Sequence, residues 1–265
     1  MRVAYFPNQA SLNSGPVLTA ALQACEKMGL TTVANDMTAD AAIIWSVLWH
    51  GRMQANQAVY QHFRSLNKPV IIIEVGVLHR NQTWKIALNN ITSKGYYGHQ
   101  QDLDWDRPSK LGIKLQTKTL NHGRVLVAGQ HKRSLQLEGV DQEAWYLQKI
   151  NEVADGRAVV VRPHPRCALD RARFPKNITW EQPQKLINTY DSFDMHWDFD
   201  CVINYNSGPG IQAVIAGVPA VVDQTSLAYN IEDREQWLVE ICHTEYTVEE
   251  IQTGIWLKRL MINQY

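Results

Sequence analysis

The chain has 265 residues, 45% hydrophobic and 20% charged, and its 26 basic and 26 acidic side chains cancel to a net charge of zero. That is enough material for one large buried core or two small ones, and no stretch nears the ~20 apolar residues of a membrane-spanning helix, so a membrane partner is not expected. Zero net charge speaks against strong nonspecific nucleic-acid binding. Four scattered cysteines (Cys25, Cys167, Cys201, Cys242) without CxxC spacing point to reduced thiols in a cytoplasmic protein, not to disulfides or zinc.

In chain order, Arg2 runs straight into a strand pattern, Val3 to Phe6, with no signal-peptide layout. A loop from Asn8 to Gly15 leads to a helix opened by Pro16-Val17-Leu18 and ending near Gly29. Thr31 to Val33 and Ala41 to Trp45 read as strands, Gln54 to Leu66 as a helix, and Lys68 to Gly76 as a fully buried strand. From Trp84 to Lys118 periodicity fades. Alternation resumes with strand Arg124 to Gln130, helix Gln142 to Val153, strand Ala158 to Val161, strand Cys201 to Ile203, helix Ile211 to Ala216 and strand Ala220 to Val222. Thr247 to Asn263 reads as one closing helix with a Thr247–Glu250 capping box. Strands alternating with helices predict an α/β protein with mostly parallel sheets. Leu120-Asn121-His122-Gly123 reads as a link between two compact halves, 1–122 and 123–265. Through His122 there are 12 Lys/Arg against 7 Asp/Glu, and afterwards 14 against 19, so a +5 half precedes a −5 half. Either this is chance scatter or the first half meets something anionic.

Two segments carry the chemistry: Val159-Val160-Val161-Arg162-Pro163-His164-Pro165 and Val202-Ile203-Asn204-Tyr205-Asn206-Ser207-Gly208-Pro209-Gly210. Each is an apolar run that stops at groups suited to phosphate, at the sheet edge where open α/β sheets bind ligands. Arg162 offers a fork of donors and His164 a ring N–H, with prolines that stiffen the exit. Asn206, Ser207 and Gly208 offer a hydroxyl and backbone N–H groups at a helix start, where the dipole favours anions. Gln130 and Lys132, after the strand Val125 to Ala128, are added to the donor-binding set, with surface charge the competing reading for Lys132.

The HP turn, the Ser-Gly helix start and the following Ala-Gly-Val-Pro-Ala-Val-Val resemble the C-terminal half of GT-B glycosyltransferases, above all the capsule-polysaccharide (Kdo) transferases and the bacterial sialyltransferases. That resemblance implies two Rossmann-like domains facing across a cleft, with His164, Ser207 and Gly208 gripping the phosphate of a nucleotide-sugar donor. A second resemblance, carried by Ile43 to Arg52, Val70 to Arg80 and Tyr246 to Trp256, is to small glycosyltransferase-like proteins of bacteriophage genomes, and implies work in a host-cell cytoplasm. The acidic residue that many retaining GT-B enzymes place near the donor ribose has no clear match.

Sugar transfer requires a stabilised leaving diphosphate and a base for the acceptor hydroxyl. The co-substrate expected is a UDP-sugar, with no obligatory cofactor or metal; Asp102-x-Asp104-x-Asp106 reads as a solvated loop. Glu74, interrupting an apolar strand before Val75-Gly76, is the candidate base, its pKa raised by burial; it could instead cap the following turn or pair with Arg80. Asp36 is the reserve, or simply part of a turn. For the acceptor, the first half interleaves cations with aromatics: Trp49 and Arg52, then Trp84, Lys94 and Tyr96. Cations for phosphates and aromatics for stacking suit double-stranded DNA carrying hydroxymethylcytosine, though singly such aromatics are more often core. A polysaccharide or lipid-linked saccharide acceptor, and a non-catalytic nucleotide-sugar-binding module, are the alternatives. The protein is read as a monomer.

Overall fold

The computed structural model describes residues 1–99, 103–118, 121–183 and 196–261. The chain divides into two units, one of Met1–Leu111 with the chain from Val239 onward, the other Gly112–Leu238.

The first unit contains β1 (Arg2–Tyr5), α1 (Gly15–Lys27), β2 (Thr31–Ala34), β3 (Ala41–Trp45), α2 (Asn56–Ser65), β4 (Val70–Val75), β5 (Trp84–Leu88) and α3 (Arg107–Lys110). Strands β3 and β4 are almost wholly buried, because Ala-Ala-Ile-Ile-Trp and Val-Ile-Ile-Ile have no polar face to turn to water. α1 buries Val17, Leu18, Ala20, Ala21, Ala24 and Cys25. Strands β1 to β4 are mutually parallel, whereas β5 pairs antiparallel with β4. That fifth strand fell in the stretch read as aperiodic. Lys85 is fully inside it, and a charge at a core position hides a strand from any hydrophobic pattern.

The second unit contains β6 (Arg124–Ala128), α4 (Gln142–Val153), β7 (Ala158–Arg162), β8 (Thr179–Trp180), β9 (Cys201–Ile203), α5 (Gly208–Ile215), β10 (Ala220–Val221) and most of α6 (Arg234–Cys242). Its five strands are all parallel, in the order β10-β9-β6-β7-β8. Alternate residues of β6 feed opposite faces: Val125 and Val127 pack with Tyr146 and Ile150 of α4, Leu126 and Ala128 with Ala213 and Val218. The strand order reverses at β6, between β7 and β9, which places the ligand-binding edge at the carboxyl ends of these three strands.

The expected division at 122/123 placed the C-terminal helix with the second half. Instead β11 (Glu245–Tyr246) adds antiparallel to β5, and α7 (Val248–Thr253) packs on α1, so the returning segment belongs to the first unit. A two-residue strand has no local signature. The Thr247–Glu250 capping box is present, but Gly254, at φ +81°, ends α7 and separates it from α8 (Ile255–Met261), so the closing helix is two helices.

Arg107 fastens this returning segment. Its Nε donates to the Cys242 carbonyl at 2.6 Å, and Nη2 to the Glu245 carbonyl at 2.6 Å. The fork also meets both Glu250 oxygens at 2.7 and 3.0 Å, beneath the Tyr246 ring. Burial pushes the Glu250 carboxyl up, but the Arg107 hydrogen bonds, the Thr247 N–H and the neighbouring positive charge together outweigh it and hold the group below the usual carboxylate range. Its contribution to stability is therefore present above the ordinary Glu pKa and lost as pH falls through the lowered value. Arg107→Met should lower the urea-unfolding free energy by about 3–5 kcal/mol, because Glu250 and two carbonyls lose their donor. Arg107→Met/Glu250→Met should recover part of that loss.

Candidate functional site

In the second unit the site is built where β6, β7 and β9 end. Gly129 runs so close to the next strand exit that a Cβ there would lie 3.0 Å from both Pro163 Cα and the His164 nitrogen. Directly after β9, the fully buried Asn204 side chain joins three elements. Its Nδ2 donates to the Ala128 carbonyl of β6 and to Ser207 Oγ, each at 2.9 Å, and its Oδ1 accepts from the Ser207 N–H at 2.9 Å. Ser207 precedes α5 in extended conformation, and its hydroxyl turns to Asn204 instead of capping the helix. Pro209 has no N–H and the Gly210 N–H bonds the Ser207 carbonyl at 3.2 Å, so the Gly208 N–H is the helix-start group placed for another acceptor such as an anion.

A second buried network runs beside the first. Gln130 Nε2 donates to Asn206 Oδ1 at 3.1 Å, and the Asn206 N–H returns to Gln130 Oε1 at 3.3 Å. Asn206 Nδ2 then reaches Thr225 Oγ1 at 2.8 Å, which donates to Asp223 at 2.5 Å. Burial and the adjacent Asp223 together push the Tyr205 phenol up. Gln130 and Asn206, expected to touch the donor, have their amides committed to each other and hold the loops in place. Arg162 ends β7 and its guanidinium meets Glu181 at 3.3 Å. Lys132 is exposed on the loop after β6.

His164 and His131 form a pair that the sequence reading half missed. Their rings meet edge to face, centroids 5.3 Å apart. His164 Nδ1 accepts the Arg166 N–H at 3.1 Å, and His131 Nδ1 accepts the Arg133 N–H at 3.2 Å. With Nδ1 accepting, the proton of each neutral ring resides on Nε2. His131 follows a named residue, but only the recurrence of His-x-Arg at both strand exits could have flagged it.

In the first unit, Glu74 lies near the carboxyl end of β4, half-buried. Ser46 Oγ donates to its Oε2 at 2.6 Å and the Val75 N–H to its Oε1 at 2.9 Å. Ser46 is buried at φ +65°, a left-handed conformation that costs a non-glycine residue about 1–3 kcal/mol and recurs at functional sites. Across the sheet, Glu74 sits opposite Lys85, and Lys85 opposite Glu245, so the three side chains share one face. Burial pulls the Lys85 ammonium down, while Glu245 and Glu74 support its charge. Glu245 is fully buried and accepts from Val77 N, Leu78 N and Thr83 Oγ1 at 2.8, 3.1 and 2.7 Å. Arg80, the expected alternative partner of Glu74, donates to the Gly76 carbonyl.

Asp36 accepts from Thr38 N and Oγ1 at 2.8 and 2.7 Å and pairs with Arg2 at 3.3 Å. These hydrogen bonds, Thr38 foremost, hold its carboxyl below the usual range, so it is a turn residue and a poor base. Trp49 and Trp84 are 4% and 7% exposed, and Trp49 packs on Tyr60, so the structure returns both to the core, where large apolar rings gain most. Tyr96 is half-buried and its backbone pairs with Leu88. Arg52 and Lys94 are exposed. Asp102 lies outside the described residues; Asp104 pairs with Lys110 at 2.5 Å and accepts the Asp106 N–H at 3.0 Å, a loop-and-cap arrangement.

No protein-family model matches the chain, and no curated protein matches it. Among the described residues no helix is long and apolar enough to cross a membrane. Among solved structures, the chain is similar to the β-Kdo 2,4-transferase of Thermosulfurimonas dismutans KpsC, at 14% identity and a TM-score of 0.53 over 92% of this chain and 90% of that one. It is also similar to the β-Kdo 2,7-transferase of the same protein, at 14% identity and a TM-score of 0.51 over 97% of this chain and 100% of that one. The fold is that of the GT-B glycosyltransferases, with two Rossmann-like units.

Proposed function

We propose that the protein is a glycosyltransferase that uses a nucleotide-sugar donor, a UDP-sugar, and passes the sugar to an acceptor hydroxyl. The observation that carries this reading is the Asn204-locked turn, which presents Ser207 and the start of α5 at the same carboxyl edge of the parallel sheet as His164, with β6 between the two strands that carry them. As the glycosidic C–O bond breaks, charge builds on the departing diphosphate. Pre-oriented N–H groups at that edge stabilise it without reorganising. Glu74, oriented by Ser46 and backed by Lys85, takes the acceptor proton.

For the acceptor, exposed Arg52 and Lys94 in the basic half support duplex DNA with a hydroxymethylated pyrimidine. Burial of Trp49 and Trp84 removes the rings on which a displaced base would stack, and it favours a saccharide hydroxyl, which requires no such platform.

Mass spectrometry after incubation with a panel of nucleotide sugars, using hydroxymethylcytosine DNA in one arm and oligosaccharides in the other, should show a hexose-sized gain in the saccharide arm. A gain in the DNA arm alone would reverse the acceptor assignment. Donor hydrolysis absent under every condition would leave only a binding module. His164→Ala should weaken nucleotide-diphosphate binding by about 1–3 kcal/mol in calorimetry; unchanged affinity removes the phosphate role. Glu74→Gln should abolish transfer and leave nucleotide affinity intact. Asn204→Ala should cost about 1–3 kcal/mol of stability, through the Ser207 N–H that loses its buried acceptor and the Ala128 carbonyl that keeps only the Tyr146 hydroxyl, and should weaken nucleotide binding as the Ser207 turn loosens.

A further inference from the structure

At its carboxyl end β3 is turned against backbone preference. The Trp45–Ser46 peptide is held at both ends: the Ser46 N–H donates to the Ile73 carbonyl of β4 at 2.8 Å, and the Trp45 carbonyl accepts from Asn56 Nδ2 at 2.6 Å. Asn56, the first residue of α2 and fully buried, also donates to the Gln9 carbonyl at 2.9 Å, so it ties the chain after β1 to the end of β3. The next peptide is held as well, the Val47 N–H meeting Glu74 Oε2 at 3.4 Å. With the peptides on both sides pinned, Ser46 is left at φ +65°. The arrangement costs stability twice. A non-glycine residue is strained at that φ, and Asn56 Oδ1 is buried with no donor among the described residues.

What the turn gains is the direction of one hydroxyl. Ser46 Oγ accepts the Leu48 N–H at 3.1 Å and donates to Glu74 Oε2 at 2.6 Å. Oε2 thereby has two donors, whereas Oε1 has only the Val75 N–H, at 2.9 Å. A carboxylate oxygen accepts about two hydrogen bonds, so the remaining site is on Oε1. We infer that Ser46 is a positioning residue for sugar transfer: its strained turn is kept because it locks the Glu74 carboxylate through Oε2 and leaves Oε1 to take the acceptor proton. This rests on the reading of Glu74 as the base. In transfer the acceptor O–H bond breaks and its proton passes to Oε1, the oxygen's electron pair forms the bond to the anomeric carbon, and the pair of the broken glycosidic C–O bond leaves with the diphosphate.

The test measures steady-state release of UDP by the full chain from UDP-glucose, UDP-galactose and UDP-N-acetylglucosamine, with an oligosaccharide mixture as acceptor, beside thermal melting. Ser46→Gly suits the backbone angle and lacks the hydroxyl. It should lose at least tenfold in kcat and keep the donor KM within twofold. Ser46→Ala should lose as much in kcat and melt about 2–4 °C below Ser46→Gly, since a β-carbon brings the strain back. On a Glu74→Gln background, Ser46→Gly should lower the residual rate by less than twofold, because the hydroxyl acts through the carboxylate. Wild-type kcat in Ser46→Gly while Glu74→Gln is inactive, the same tenfold loss in both backgrounds, or equal melting of the Gly and Ala variants overturns the inference and leaves the base standing. A fully active Glu74→Gln, or a wild type that releases UDP from none of the three donors, overturns the base reading and the inference with it.

Discussion

One buried carboxamide sets the geometry of the second unit's ligand edge. Asn204 emerges from β9 with no exposed surface and must satisfy both its donor and its acceptor inside the protein. It does so with the Ala128 carbonyl of β6 and with Ser207. In a parallel sheet the carbonyls at the strand ends lack a next neighbour, and a side chain of this length can fill that gap while fixing the turn into the following helix. The hydroxyl it captures is the one that would otherwise cap α5. At the helix start Pro209 has no N–H and the Gly210 N–H returns to the Ser207 carbonyl at 3.2 Å, so with the Ser207 hydroxyl held by Asn204 it is the Gly208 N–H that is placed to meet a further acceptor.

The neighbouring network of Gln130, Asn206, Thr225 and Asp223 extends the same logic sideways, tying the loops after β6, β9 and β10. Closed networks of this kind rigidify a site, since each member loses a partner if any other moves. The loop after β6 is held by this network, and His131 and His164 keep their edge-to-face contact.

In the first unit the corresponding constraint is electrostatic. Lys85 is inside the sheet, and a buried ammonium persists there only with carboxylates alongside. Glu245 arrives from the far end of the sequence to supply one, and Glu74 supplies the other. Bringing Glu245 into place requires β11 to add to the sheet, and Arg107 secures the segment that carries it. The C-terminal return, the sixth strand and the setting of the proposed base are therefore parts of one charge-balancing arrangement.

Long apolar runs identified β3, β4, β6 and β7, and helical spacing gave α2, because those patterns follow from local backbone geometry. The turn residues at His164 and Ser207 were legible for the same reason, as polar groups stopping a buried strand. Aromatic residues misled: nothing in Trp49 or Trp84 distinguishes a stacking surface from core, and burial decided for core. Lys85 hid β5, and two residues were too few to announce β11. By itself, then, the sequence determined which segments are strands and helices and which strand ends bear phosphate-type donors. Tertiary structure alone decided that Asn204 turns Ser207 away from its helix, that His131 meets His164, and that Glu74, Lys85 and Glu245 stand in one row. The His131–His164 and Lys85–Glu245 pairings join residues 33 and 160 positions apart, and only the register of packed strands brings them together.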